Sequence, residues 1–257
     1  MLAGTLIGSG AGAKGWQSFD NRYTPFANYP ANSTTLLTDI SGNGKTLTQT
    51  GSTRVTPLVA GLSVLGYDGA SYLERAVDDA SFRVTGALSA LTLFNRASLP
   101  AGGSSCILNY SGVGELEDAN ILYQLFVTGV PGAAGPLVST AYFHEHGAGV
   151  NDTFGWNSGA LPGGWNMIGF TRSAPAAGMQ TVKIFLNGGI GAQATITACS
   201  GGTNVANRFR IGNSLNDPTQ FFIGGIGSTA LYATELTEAQ VAERWNWVLG
   251  GRTVPRF

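Results

Sequence analysis

Both histidines of the chain stand in one tripeptide, His144-Glu145-His146. On a strand, Tyr142, His144 and His146 face one way while Phe143 and Glu145 face the other, so two imidazoles could meet a ligand or a metal together. Zinc sites use three or four protein ligands and no third is visible nearby, so no metal is predicted. Glu115-Leu116-Glu117 begins the alternating acid pattern of a retaining glycosidase, whose two carboxyl groups must lie about 5 to 5.5 Å apart. Ala119 stands where the next acid belongs, and Gly112, Gly114 and Asp118 make the segment a solvated turn. No catalytic residue is assigned.

The segment Asn151-Asp152-Thr153-Phe154-Gly155-Trp156-Asn157-Ser158-Gly159 mixes an aromatic, amides, a carboxylate and glycines. Sugar rings stack on exposed aromatic faces while amides and carboxylates satisfy their hydroxyls. Read as a loop, it makes Trp156, Asn157 and Asp152, with Tyr142 and His144, the candidate ligand-binding residues. The competing reading has Trp156 covering the core edge or an intersubunit contact, and Trp165, Trp245 and Trp247 are assigned to packing. Gly10-Ala11-Gly12-Ala13-Lys14-Gly15 and Gly44-Lys45-Thr46 imitate phosphate loops, but neither follows a buried strand and opens a helix, as phosphate binding requires.

These residues sit in a chain of 257, of which 43% are hydrophobic, 11% charged and 38 are glycine, with a net charge of −1. That balance leaves no excess of cations to displace counterions from a nucleic acid. No run approaches the ~18 apolar residues of a membrane-spanning helix. The opening has no cation before Lys14 and its apolar residues are broken by Gly and Ser, so no export signal is read. Cys106 and Cys199 fit no metal or redox spacing, and either two buried thiols or one long-range bridge is open.

Residues 1–35 carry Trp16, Phe19, Tyr23, Phe26 and Tyr29 without helical or strand periodicity, and read as an arm. Each such aromatic can bury roughly 150 to 250 Å², so the arm is expected to pack on its own domain or on a neighbouring subunit. From residue 36 to 249, short runs of Val, Ile, Thr, Leu and Phe alternate with turn residues, the pattern of a sandwich or barrel. Asn187-Gly188 between two such runs predicts a tight hairpin. Thr237-Glu238-Ala239-Gln240 is a capping box, and Val241, Trp245, Val248 and Leu249 follow at helical spacing. Residues 250–257 form a tail.

The order of these motifs resembles the laminin G-like and concanavalin A-like jelly-roll superfamily, in the form found in bacteriophage and bacterial surface proteins. The resemblance runs through Leu37 to Leu47 with its Ser-Gly-Asn-Gly turn, Gly61 to Leu73 with its Asp68-Gly69 turn, Phe82 to Leu99, Trp165 to Phe170, the Asn187 hairpin, Arg210 to Gly212, Phe222 to Ile226, and Leu231-Tyr232. It implies an all-β fold: an antiparallel jelly-roll β-sandwich, preceded by an extended arm and closed by one short helix. Some relatives bind calcium at the sandwich rim, but Gly227-Ser228 replaces the acidic pair expected on the closing strand. Asp39 and Asp68 remain as oxygen donors, and both suit turns, so calcium is allowed by the chemistry and not predicted.

The function expected is that of a non-catalytic virion structural or adhesion protein, such as a capsid decoration or fibre subunit. Its partners would be further copies of itself, other virion proteins, or a surface glycan. The rival is a free-standing lectin, soluble in the cytoplasm or outside the cell, and a glycosidase comes third.

Overall fold

The computed structural model describes residues 23–29, 39–51, 54–57, 63–75, 79–96, 103–111, 121–129, 138–147, 150–160, 164–198, 207–215, 217 and 219–249. They form strands β1 (Ala27–Tyr29), β2 (Thr48–Thr50), β3 (Arg54–Pro57), β4 (Ser63–Asp68), β5 (Tyr72–Arg75), β6 (Leu88–Arg96), β7 (Ser104–Ser111) and β8 (Ile121–Gly129). After these come β9 (Val138–Gly147), β10 (Val150–Ala160), β11 (Asn166–Arg172), β12 (Met179–Leu186), β13 (Gly189–Thr197), β14 (Arg208–Ile211), β15 (Ile223–Tyr232) and helix α1 (Glu238–Leu249). An eight-stranded sheet runs β13-β12-β11-β6-β15-β4-β3, with β1 also paired to β15, and a seven-stranded sheet runs β10-β9-β8-β7-β14-β5-β2. Every pairing is antiparallel. The all-β jelly-roll-like sandwich is what the strand periodicity and the resemblance led us to expect.

The two sheets meet through aromatic side chains: Tyr29 of β1 stacks on Phe209 of β14 at 6.2 Å, and Tyr123 of β8 meets Phe170 of β11 at 6.1 Å. Strand β6 is apolar on both faces, and the reason is visible. Leu88, Ala90 and Phe94 join the inter-sheet core, while Leu91 and Leu93 join a second cluster with Trp165, Met167, Phe185, Tyr232, Leu236 and Val241. That second cluster is the layer between the eight-stranded sheet and α1, so Trp165 and Trp245 do pack as expected. Covering a sheet on both faces lets its strands be continuously hydrophobic.

Local signals hold in detail. Asn187 and Gly188 adopt φ of 53° and 83°, the left-handed pair of a two-residue hairpin turn, and join β12 to β13. At the start of α1, Gln240 N–H donates to Thr237 Oγ1 at 3.3 Å and Thr237 N–H to Gln240 Oε1 at 2.7 Å, a reciprocal capping box. Asp39 accepts from the N–H groups of Asn28, Ser41 and Lys45, each at 2.9 Å, and Asp68 from those of Ala70 and Ser71 at 2.9 and 3.0 Å. Both carboxylates therefore organise turns. The N–H of Ala70 and the further donors from Ser71 hold the Asp68 carboxyl below its ordinary value.

Two expectations need correction. The boundary at residue 35 does not divide arm from body, because Ala27, Asn28 and Tyr29 pair with Leu231, Ala230 and Thr229 as a strand of the sandwich. Phe26 packs edge-on to Phe82 at 5.8 Å and Tyr29 is buried in the core, so both pack on their own chain, one of the two arrangements expected of the arm. Tyr23 packs beside the second cluster, while Trp16 and Phe19 lie outside the described residues. The segment 151–159 is no loop: it is most of β10, paired to β9 along its length. No helix among the described residues is long and apolar enough to cross a membrane.

Candidate functional site

With α1 laid on the eight-stranded sheet, no helix among the described residues packs on the outward face of the seven-stranded sheet, yet the centre of that face is covered, Asn109 and Gln124 being 0% and 3% exposed. Strand β14 shows how the sequence equips that face. Phe209 and Ile211 point into the core, so Arg208 and Arg210 must point out. The register then aligns a row directly across all seven strands: Thr48, Glu74, Arg210, Asn109, Gln124, His144 and Thr153. Directly opposed residues share a face, so this is one polar ladder on the side away from the core.

Its anchor is Glu74, whose side chain is only 7% exposed. Arg210 Nε donates to Glu74 Oε2 at 2.6 Å and Arg208 Nη1 to Oε1 at 3.2 Å. The other groups of Arg210 are engaged as well: Nη1 donates to Asn213 Oδ1 at 2.9 Å, Nη2 to the Tyr72 hydroxyl at 3.4 Å, and the guanidinium lies over the Tyr72 ring at 4.1 Å. In the middle of the row, Asn109 Oδ1 accepts from Ser111 Oγ at 2.7 Å, while the buried Nδ2 has no acceptor among the described residues. Gln124 Nε2 donates to Gln220 Oε1 at 3.2 Å, which ties the segment following β14 to the face. Burial beside Gln124 pushes the Cys106 thiol up to about 12.

The residues expected from the sequence fall on both sides of this sheet. Val127, Leu125 and Tyr123 of β8 belong to the core, and register carries their row through Ala141 and Phe143 of β9 to Trp156 and Phe154 of β10. Asp152, opposite Glu145, lies on that same inward row. Tyr142 opposite Phe126, His144 opposite Gln124, and Asn157 opposite Thr140 lie on the outward row. Backbone register thus brings Tyr142, His144 and Asn157 together with the polar ladder and separates them from Trp156 and Asp152. The sequence reading missed Glu74, Asn109, Gln124, Arg208 and Arg210. Only the alternation Arg208-Phe209-Arg210-Ile211 announced any of them.

Other candidates resolve differently. Lys45 of the phosphate-loop lookalike is buried against Phe82, with Nζ 5.1 Å from the ring centroid and 3.9 Å from Asp79, and donates to Ser81 Oγ. Where the resemblance leads one to expect an acidic pair, β15 bulges, and Ser228 is buried. Cys106 is a buried free thiol, and Cys199 lies outside the described residues, as do Glu115, Glu117 and Gly10 to Gly15. A surface groove of about 360 Å³ at the start of α1 is lined by Lys183, Glu235 and Glu238, and Lys183 sits 3.6 Å from Glu238.

No family model and no curated protein matches the chain. Solved structures do. Domain 4 of AbnA, a GH43 extracellular arabinanase from Geobacillus stearothermophilus determined in complex with arabinotriose, superposes with a TM-score of 0.57 at 17% identity, over 86% of this chain and 98% of that one. The binding domain of botulinum neurotoxin serotype D/C superposes with a TM-score of 0.62 at 12% identity, over 90% of this chain and 53% of that one. A botulinum neurotoxin type C structure, described as dependent on two ganglioside molecules for cell entry, gives 0.61 at 11% identity over 90% and 52%. The likeness is one of fold, an antiparallel two-sheet β-sandwich. The chain spans about half the length of the neurotoxin domains it matches, and nearly the whole of the arabinanase domain.

Proposed function

We propose that the chain is a non-catalytic adhesion module that binds a glycan on the outward face of its seven-stranded sheet. The observation that carries this reading is the polar ladder Glu74-Arg210-Asn109-Gln124-His144 on the sheet face away from the core, buried at its centre and flanked by Arg208, which is 37% exposed. Tyr142 and Asn157 extend the same face at the β9 and β10 edge. The arabinanase domain, which shares the fold over nearly its full length, was solved with an arabinose trimer. The test is a glycan array followed by calorimetric titration of the strongest hit. Saturable binding that falls at least about tenfold in an Arg208→Ala, Tyr142→Ala chain is expected. Absence of any saturable hit overturns the reading.

The finer reading places the module on a virion, as a capsid decoration or fibre-type subunit. Its support is the charged fraction of 11% against about 25% in ordinary soluble proteins, as expected of a surface largely covered by neighbours. Trp16 and Phe19 precede the first described strand, so removing residues 1–22 leaves β1 in place. Light scattering of the full chain is expected to show an oligomer that this truncation dissociates. A monomer before and after truncation removes the virion reading and leaves glycan binding standing.

A further inference from the structure

We infer that Asn43 is a self-modifying site: in the folded chain it loses its side-chain amide to attack by the backbone nitrogen of Gly44, while the chain's other Asn-Gly pair is shielded. Such pairs occur twice, at Asn43-Gly44 and Asn187-Gly188. Glycine after asparagine is what the reaction wants, because a residue without Cβ lets its nitrogen swing onto the side-chain carbon ahead of it. The Gly44 nitrogen bonds to Asn43 Cγ, its proton passes through water to Nδ2, and Nδ2 leaves as ammonia. Water then opens the five-membered imide at either carbonyl, giving aspartate or isoaspartate. One water is consumed for each ammonia released, and nothing is oxidised or reduced.

Around Gly44 the way is clear. Asn43 and Gly44 are exposed, no described atom lies within 4 Å of where a Gly44 Cβ would stand, and the Gly44 N–H donates to no described residue. The Asn43 amide is held at one end alone: Nδ2 donates to Phe26 O and to Ser41 Oγ, each at 3.1 Å, and Oδ1 accepts from no described residue. Asn187 has the same neighbour in sequence and opposite surroundings. Its Oδ1 accepts from the Met167 N–H at 2.9 Å, its Nδ2 donates to Asn166 Oδ1 at 2.8 Å, and α1 stands against Gly188 through Trp245 and Ala242. Clamped at both ends, the Asn187 amide cannot turn toward the Gly188 nitrogen without releasing the hairpin from β11. Conversion at Asn43 alters the turn that seats β1. A carboxylate cannot donate, so the bond to Phe26 O is lost, and the new charge faces Ser41 Oγ, which donates to Asp39 Oδ2 at 2.8 Å. Asp39 is the carboxylate that accepts from the Asn28 N–H of β1, so modified chains melt lower than intact ones.

The full chain is to be incubated in mildly alkaline heavy-oxygen water, with and without denaturant, and its peptides mapped by mass spectrometry and by isoaspartyl methyltransferase. In the folded chain the peptide holding Asn43 is expected to take up label at least about tenfold faster than the peptide holding Asn187, because only the second must first open locally. In denaturant, where both pairs are free, the two rates should agree within about threefold. Over the same incubation the melting temperature of the unsubstituted chain should fall by at least about 2 °C, and that of Asn43→Gln, whose longer side chain does not close the five-membered ring, should hold steady. Equal rates at the two pairs in the folded chain overturn the inference, as does an Asn43 that keeps its amide until denaturant is added. A fall in melting temperature shared by Asn43→Gln overturns the link to β1.

Discussion

Arg210 lies over the Tyr72 ring, guanidinium carbon 4.1 Å from the ring centroid, while its Nε donates to Glu74 Oε2 at 2.6 Å. Tyr72 and Glu74 are both on β5 and Arg210 is on the neighbouring strand β14, so one side chain ties the two strands on the outward face of the sheet. A lysine in its place offers a point charge and no plane, and cannot stack and bridge at once. The arrangement fixes the only acidic member of the polar ladder before any ligand arrives, which lowers the ordering cost of binding.

Replacing Arg210 by Ala should therefore destabilise the fold. Breaking a buried ion pair typically costs about 3 to 5 kcal/mol, and Arg208 still partners Glu74, so a loss near the lower figure, about 3 kcal/mol, is expected. Glu74→Gln, which keeps the shape and removes the charge, should cost less. Urea midpoints measure both, and an unshifted midpoint for Arg210→Ala would show that the pair is a bystander.

The turn at Asn187-Gly188 makes a second, independent case. Gly188 has φ of 83°, and a Cβ there would sit 3.0 Å from Trp245 Cβ and 3.1 Å from Ala242 Cα. Gly188→Ala thus combines a left-handed penalty with a clash against α1, and roughly 2 kcal/mol of stability should go. Circular dichroism melting curves are the check. Full retention of the wild-type melting temperature would mean that α1 is not seated on the hairpin as described.

That turn was legible in the sequence because its cause is local: two adjacent residues tolerate positive φ, and the flanking runs alternate. The capping box of α1 was legible for the same reason. Strand β1 was not, since Ala27, Asn28 and Tyr29 carry too short a pattern, and only pairing with Leu231 and Thr229, some two hundred residues on, makes them a strand. The segment 151–159 was mistaken for a loop because its glycines and asparagines are turn formers, yet edge pairing to β9 through backbone groups overrides that preference. Glu74 and Arg210 meet across 136 positions, a separation no single-sequence pattern spans.

Cys106 gives a prediction in pH. Burial raises its thiol to about 12, with the Gln124 contact and the Arg210 charge pulling slightly the other way. An unfolded cysteine ionises near 8.5, so the folded state favours the neutral form more than the unfolded state does. The stability from this thiol is complete below about pH 8.5 and declines as pH rises from there toward 12. In a Cys199→Ser background, the native chain at pH 8 should leave Cys106 unmodified by a thiol reagent, with reaction appearing on adding denaturant. Rapid modification without denaturant contradicts the burial.

The division of β9 and β10 into two rows predicts two different phenotypes from neighbouring residues. Tyr142, His144 and Asn157 share the outward row with Gln124, so their replacement by Ala should weaken glycan binding about tenfold while the melting temperature stays within about 2 °C. Trp156 shares the inward row with Val127, a core residue, and Trp156→Ala should instead lower the urea midpoint while leaving glycan binding unchanged. The two sets are to be compared by calorimetric titration and urea unfolding on the same preparations. If Trp156→Ala abolishes binding at unchanged stability while Tyr142→Ala unfolds the chain, the rows are assigned the wrong way round. The ligand face would then lie on the other side of the hairpin, because a strand's alternation leaves no third choice.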